Sequence, residues 1–162
     1  MEWTRRTVDI FFNINGDVYI IPPPGYPQGE GKSDPWFITH ITDEGTVYEN
    51  LKTAYETPSE DVEALPDPTP IEIITRTKNW ERATRDLGLL LFVWSKDEGG
   101  FVILLMDRMG GAFCSYKTIK LGETIDDATF KPVIMENLKA ELARHIKKME
   151  KKENKKLKKR KQ

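Results

Sequence analysis

A chain of 162 residues with 38% hydrophobic residues and four tryptophans can bury a core of its own, and a single cysteine, Cys114, excludes an internal disulfide. The net charge of −1 hides a segregation: residues 147–162 hold ten Lys/Arg and two Glu, a net +8, and the other 146 residues hold fifteen basic and twenty-four acidic groups, a net −9. This is an acidic body with a basic tail, and an acidic body disfavours nucleic acid and favours basic partners, because like-signed fields repel at encounter. No apolar run reaches the roughly 18–20 residues of a membrane span, and the N-terminus has no signal-type apolar run, so a cytoplasmic protein with no membrane partner is expected.

Residues 7–21 read as a hairpin. Val8, Ile10 and Phe12 alternate with Thr7, Asp9 and Phe11, and Asn15-Gly16 suits a two-residue turn because both positions tolerate positive φ. Pro22-Pro23-Pro24 ends the pairing by removing donors. In the following loop, Gly29-Glu30-Gly31-Lys32-Ser33 imitates the end of a phosphate-binding loop. The full pattern would need glycine where Tyr26 stands, and Asp34-Pro35 opposes the helix that must follow, so a surface loop is the simpler reading.

A strand is predicted over 36–41 and a helix over about 45–57, with Thr46 and Glu49 as a capping box and Val47, Tyr48, Leu51, Ala54 and Tyr55 along its buried side. Residues 58–70 form a Pro-rich acidic linker. Ile71–Ile74 reads as a short edge strand, and Asn79 caps a brief helix bearing Trp80, Ala83 and Leu87, stopped by Gly88.

Two apolar runs, 89–94 and 101–107, then flank a charged turn with a Gly pair. Neither run alternates with polar residues, so protein is expected against both faces of this central hairpin. After Gly110-Gly111 a strand runs from Phe113 to Leu121, in which Cys114 reads as a small core residue. A helix from about 127 to 149 carries Phe130, Ile134, Leu138, Leu142 and Ile146, with Pro132 confined to its first turn, and continues into the Lys-rich tail, where it frays. The whole reads as an α+β protein: an antiparallel or mixed sheet with helices packed on it in a single domain, 1–146, and a basic helical or disordered tail, 147–162. The order strand, strand, strand, helix recurs in 1–57 and 71–146, giving two βββα-like halves. Duplication and chance recurrence both account for it, and a different strand order in the two halves would exclude the first.

No catalytic, cofactor or metal constellation is evident. His40 and His145 lack ligand-spaced neighbours, and Arg144 and Lys147 beside His145 disfavour a cation. Asp97-Glu98 and Asp126-Asp127 are adjacent acids of the kind that mark a turn and a helix start. A binding protein rather than an enzyme is expected.

The segment Lys78-Asn79-Trp80-Glu81-Arg82-Ala83, the apolar hairpin, Gly110-Gly111-Ala112-Phe113, and the final strand and helix resemble the immunity proteins of bacterial contact-dependent growth inhibition systems, which are of about this length. The resemblance implies an inhibitor that binds a cognate toxin C-terminal domain and blocks its active site. Many such toxins are nucleases with basic grooves. The charge reading meets it at residues 43–67, where eight acids face one base, Lys52. Asp43, Glu44, Glu49, Glu56, Glu60, Asp61 and Glu63 would supply the field and ion pairs, and Tyr48 or Tyr55, facing out, an aromatic anchor. Two rivals remain: a small-ligand domain or enzyme using loops 22–36 and 108–112, and nucleic-acid binding through the tail.

Overall fold

Alternating and continuous apolar runs generate one antiparallel sheet. The computed structural model describes residues 5–24, 35–57 and 68–161. In chain order the elements are β1 (Arg5–Phe12), β2 (Asp17–Ile21), β3 (Phe37–His40), α1 (Glu44–Glu56), α2 (Pro70–Thr75), α3 (Trp80–Ala83), β4 (Gly88–Ser95), β5 (Gly100–Met109), β6 (Ala112–Gly122) and α4 (Asp127–Arg160). The six strands lie in the order β3-β2-β1-β4-β5-β6, each antiparallel to its neighbour. The fold class is therefore α+β. Each half is a meander running outward from the central β1–β4 seam and followed by a helix, so the strand order of the two halves is the same.

Both faces of the sheet are covered, as the unalternating hairpin requires. On one face Val8, Ile10, Phe12, Leu90, Phe92 and Ile103 pack against Val47, Leu51 and Ala54 of α1 and Phe130, Ile134 and Leu138 of α4. On the other, Phe11, Ile21 and Leu89 meet Ile71 of α2 and Ala83 before β4, with Trp80 edge-on to Phe113 at 6.0 Å. Asp9 faces this second side, between Ile21 and Leu91 of the flanking strands, and burial pushes its carboxyl up to about 6. Gly88 sits where Phe12 crosses the seam; a Cβ there would lie 2.2 Å from the Phe12 ring, so no other residue fits without displacing it.

Several sequence expectations change. Residues 71–74 belong to a helix, not an edge strand. Pro70 opens it, and the Glu72 carboxylate accepts from the Thr69 hydroxyl at 2.8 Å and from the Asn79 amide at 3.1 Å. The first hairpin turns over four residues rather than two. Asn13 accepts from the amides of Asn15 and Asp17, and within the turn only Gly16 takes positive φ. The cap of α1 is Asp43, three residues before the box expected at Thr46, and α4 is capped by Asp126. Leu87 lies beyond α3, and Gly88 starts β4 rather than ending a helix. Pro132 is the sixth residue of α4, past the first turn, where it removes one backbone donor. Cys114 is exposed, because β6 is an edge strand with solvent around most of it. The last helix does continue into the tail, as read from the sequence, and runs on to Arg160.

Candidate protein-binding surface

Helix α1 positions most of the predicted acidic residues. Asp43 begins it, accepting from the Thr46 amide at 3.3 Å and the Thr46 hydroxyl at 2.7 Å, so this carboxylate is engaged in capping. Val47, Tyr48, Leu51 and Ala54 form the buried stripe. The opposite side is Thr46, Glu49, Thr53 and Glu56, all exposed. Glu49 and Glu56, seven residues apart, project from the same face two turns from each other. Glu49 pairs with Lys52 at 3.2 Å while its side chain stays 69% exposed. Glu44 points elsewhere, to an ion pair with Lys139 of α4. Glu60, Asp61 and Glu63 lie outside the described residues.

Neither tyrosine faces out. Tyr48 is 3% exposed, and its hydroxyl donates to Asp127 at 2.6 Å. Burial first, and then that bond, raise the phenol's pKa. Tyr55 is half-buried, edge-on to Phe92 at 5.8 Å and Phe101 at 5.2 Å. Both fall on the packing side for the reason Leu51 does: they lie within the helix's apolar stripe. The expected aromatic anchor is therefore absent from α1. In its place, the Tyr48 bond and the Lys52 ammonium at 3.2 Å bring Asp127 against α1 and hold its carboxyl below the usual range. With Asp126, which caps α4, this extends the acidic rim from α1 onto the start of α4.

A second charged feature was not anticipated. Between α4 and the adjoining ends of β4 and β5 lies a cleft of about 160 Å³, lined in part by Phe12, Leu87, Arg108, His145, Lys148 and Lys152. Beside it, Arg144 bridges Glu141 at 2.9 Å and Asp107 at 2.8 Å and stacks over Tyr116, 4.5 Å from the ring centre. Burial works against the charged guanidinium, but those two carboxylates outweigh it and raise its pKa. Burial and the bond to Glu141 push the Tyr116 phenol up to about 12. The Glu141–Arg144 spacing was visible in the sequence, but Asp107 and Tyr116 come from distant strands, so nothing local marked the network.

The remaining candidates are accounted for structurally. His145 is bonded to the Asp86 carbonyl at 3.0 Å and edge-on to Phe12, and burial lowers its pKa. His40 bridges Thr42 at 2.9 Å and the Asn15 carbonyl at 2.8 Å. Asp97 and Glu98 are exposed in the β4–β5 turn. Of the two loops considered for a ligand site, 110–111 is a tight hairpin turn, and residues 25–34, including the phosphate-loop imitation, lie outside the described residues. Arg108 is spent on structure, donating to the Thr84 and Glu81 carbonyls at 3.2 and 2.9 Å. Among the described residues, no group of three or more His, Cys, Asp or Glu could hold a metal, and no helix is long and apolar enough to cross a membrane. No family model, curated protein or solved structure matches this chain.

Proposed function

We propose that this chain is a cytoplasmic immunity protein of a bacterial contact-dependent growth inhibition system. It binds the cognate toxin domain and covers a basic active-site groove, as in a nuclease. The observation that carries this reading is the outward row of Glu49 and Glu56 on a helix clamped to the sheet, within a body whose net charge outside residues 147–162 is −9. A fixed acidic face of this kind steers a basic partner and speeds its docking. Asp43 and Glu44 serve mainly to cap and anchor α1, and Asp126 and Asp127 do the same for α4, so the docking field comes from Glu49 and Glu56. Tyr48 and Tyr55 pack inward and contribute no aromatic anchor to this face.

The test uses the C-terminal domain of the protein encoded directly upstream of this reading frame, where the proposal requires a toxin. Mixed with the full chain, it should lose its activity. Glu49→Lys with Glu56→Lys should slow association about tenfold or more at low salt and flatten its salt dependence. Unchanged association would remove α1 from the interface, and undiminished toxin activity with the native chain would end the immunity reading.

A second reading, ligand binding beside residues 108–113, is favoured by the cleft under α4. At about 160 Å³ it is smaller than the ~300 Å³ at which ordinary small-molecule sites begin, and so suits no more than a small anion.

A further inference from the structure

Helix α4 runs unbroken from Asp127 to Arg160, but the sheet uses only part of it. Met149 is the last residue with partial cover, and every residue from Glu150 to Lys161 is exposed. The core does not require these last turns. They are also self-repelling: Lys147, Lys151, Lys155 and Lys159 form one i,i+4 row, and Lys148, Lys152 and Lys156 another, with only Glu150 and Glu153 in opposition. At 3.6 residues per turn, Lys148, Lys152, Lys155 and Lys159 fall along one line of the helix, and Lys151 and Lys156 flank it. The inner end of that line, Lys148 and Lys152, lines the cleft together with Arg85, and Lys148 is paired there with Asp107, so the unengaged part of the strip begins at Lys152.

We propose that this strip binds the phosphate backbone of nucleic acid, independently of sequence and separately from the acidic face of α1. Residues 147–160, the helical part of the tail, hold a net +7 over about 21 Å, close to one net charge per 3 Å. One strand of a duplex presents a phosphate per roughly 3.4 Å of axis, so the two charge densities match. The acidic body does not cancel this attraction. Lys161 stands about 13 Å beyond Lys152, further than the screening length of roughly 8 Å at physiological salt. A lipid surface is disfavoured because the side away from the lysines offers only Met149 and Leu157, with Glu150 and Glu153 beside them, where an interfacial helix needs a continuous apolar face. An acidic protein segment is disfavoured because the strip beyond the cleft has no apolar pocket to seat an anchor.

Fluorescence anisotropy of the full chain with a labelled mixed-sequence DNA duplex tests the proposal. Neutralising about four phosphates predicts a slope near −3.6 for log K against log salt, a loss of roughly a hundredfold between 50 and 200 mM. Lys152→Gln, Lys155→Gln, Lys156→Gln and Lys159→Gln combined should reduce the slope by about one per lysine and weaken binding at least tenfold, with an unchanged thermal melt because all four are exposed. Absence of binding at 100 mM salt would overturn the proposal, as would equal binding by the variant. Displacement of the duplex by polyglutamate at matched charge, or equally tight capture by phosphatidylserine vesicles, would overturn the assignment to nucleic acid.

Discussion

The two halves of the sheet carry helices of very different length on the same face, 13 residues in α1 and 34 in α4, over meanders of the same strand order. The packing part of α4, from Phe130 to Leu142, is as long as the whole of α1. The apolar stripe over three strands thus takes about three and a half turns in either half; Arg144 and His145 still engage β5 and Phe12, and the exposed turns beyond Met149 answer to something other than the core. The charges divide the same way. The shorter helix ends with its acids in solvent, while the longer one carries lysines out past the sheet. Equal scaffolding thus carries opposite outward charge, and the two proposed surfaces rest on that contrast.

The most damaging way to break the comparison is through the anchors. Leu51 and Leu138, each fully buried on the same face, should each cost about 2–5 kcal/mol when changed to Ala. Urea unfolding of both variants should remain a single transition, because the halves share the β1–β4 seam. Two separate transitions in either variant would show that the halves are independent units.

The seam also breaks the symmetry chemically, since Asp9 in the first half lies opposite Leu91 in the second. Its folded pKa of about 6 lies above the usual 3.8. Folding therefore favours the protonated form; the native state is relatively most stable below the unfolded pKa and loses stability as pH rises through about 6. Asp9→Asn should stabilise the protein by at most about 3 kcal/mol at pH 8 and abolish the dependence between roughly pH 4 and 6. Denaturant titrations across that range check it, and equal pH profiles for the two proteins would show that Asp9 is not the titrating group.

The smallest effect sharpens the link between the two helices. Tyr48→Phe removes the bond to Asp127 and should cost about 1 kcal/mol at neutral pH. Since Tyr48, and after it Lys52, lower the Asp127 pKa, this contribution is present above the usual carboxylate range and is lost as pH falls through the lowered value. The gap between the native and variant unfolding midpoints should therefore close on acidification. A gap that persists in acid would mean that Tyr48 acts through packing alone.

Much of the scaffold was written in local pattern. The two apolar runs of β4 and β5 lack polar alternation, which anticipated cover on both faces, and the 3.6-residue spacing of Val47, Leu51 and Ala54 gave α1 almost to the residue. Where the sequence misled, a local preference competed with a second signal. Ile71-Glu72-Ile73-Ile74 has β-branched residues suited to a strand, but Thr69, Pro70 and Glu72 at the helix start outweigh them. Cys114 was misplaced because a strand's own residues do not reveal that it lies at the edge of the sheet. The acidic surface was legible only as composition. Its sorting into capping, anchoring and outward carboxylates needed Lys139 and Asp127, which approach from the other half of the chain.

The order of strands has a consequence for the time course of folding. Four of the five strand pairings join neighbours in sequence; only β1 with β4 spans the chain, setting Val8 against Phe92. Each meander can zip locally on the microsecond scale typical of hairpins, whereas the seam must close a loop of more than seventy residues. Such an arrangement concentrates the entropic barrier in one docking event. Stopped-flow refolding should then show seam substitutions such as Ile10→Val slowing the folding limb, and substitutions confined to β5–β6, such as Ile119→Val, chiefly speeding the unfolding limb. The reverse pattern would place the barrier inside a meander. On this account the molecule is kinetically two pieces that become one, although at equilibrium they melt together.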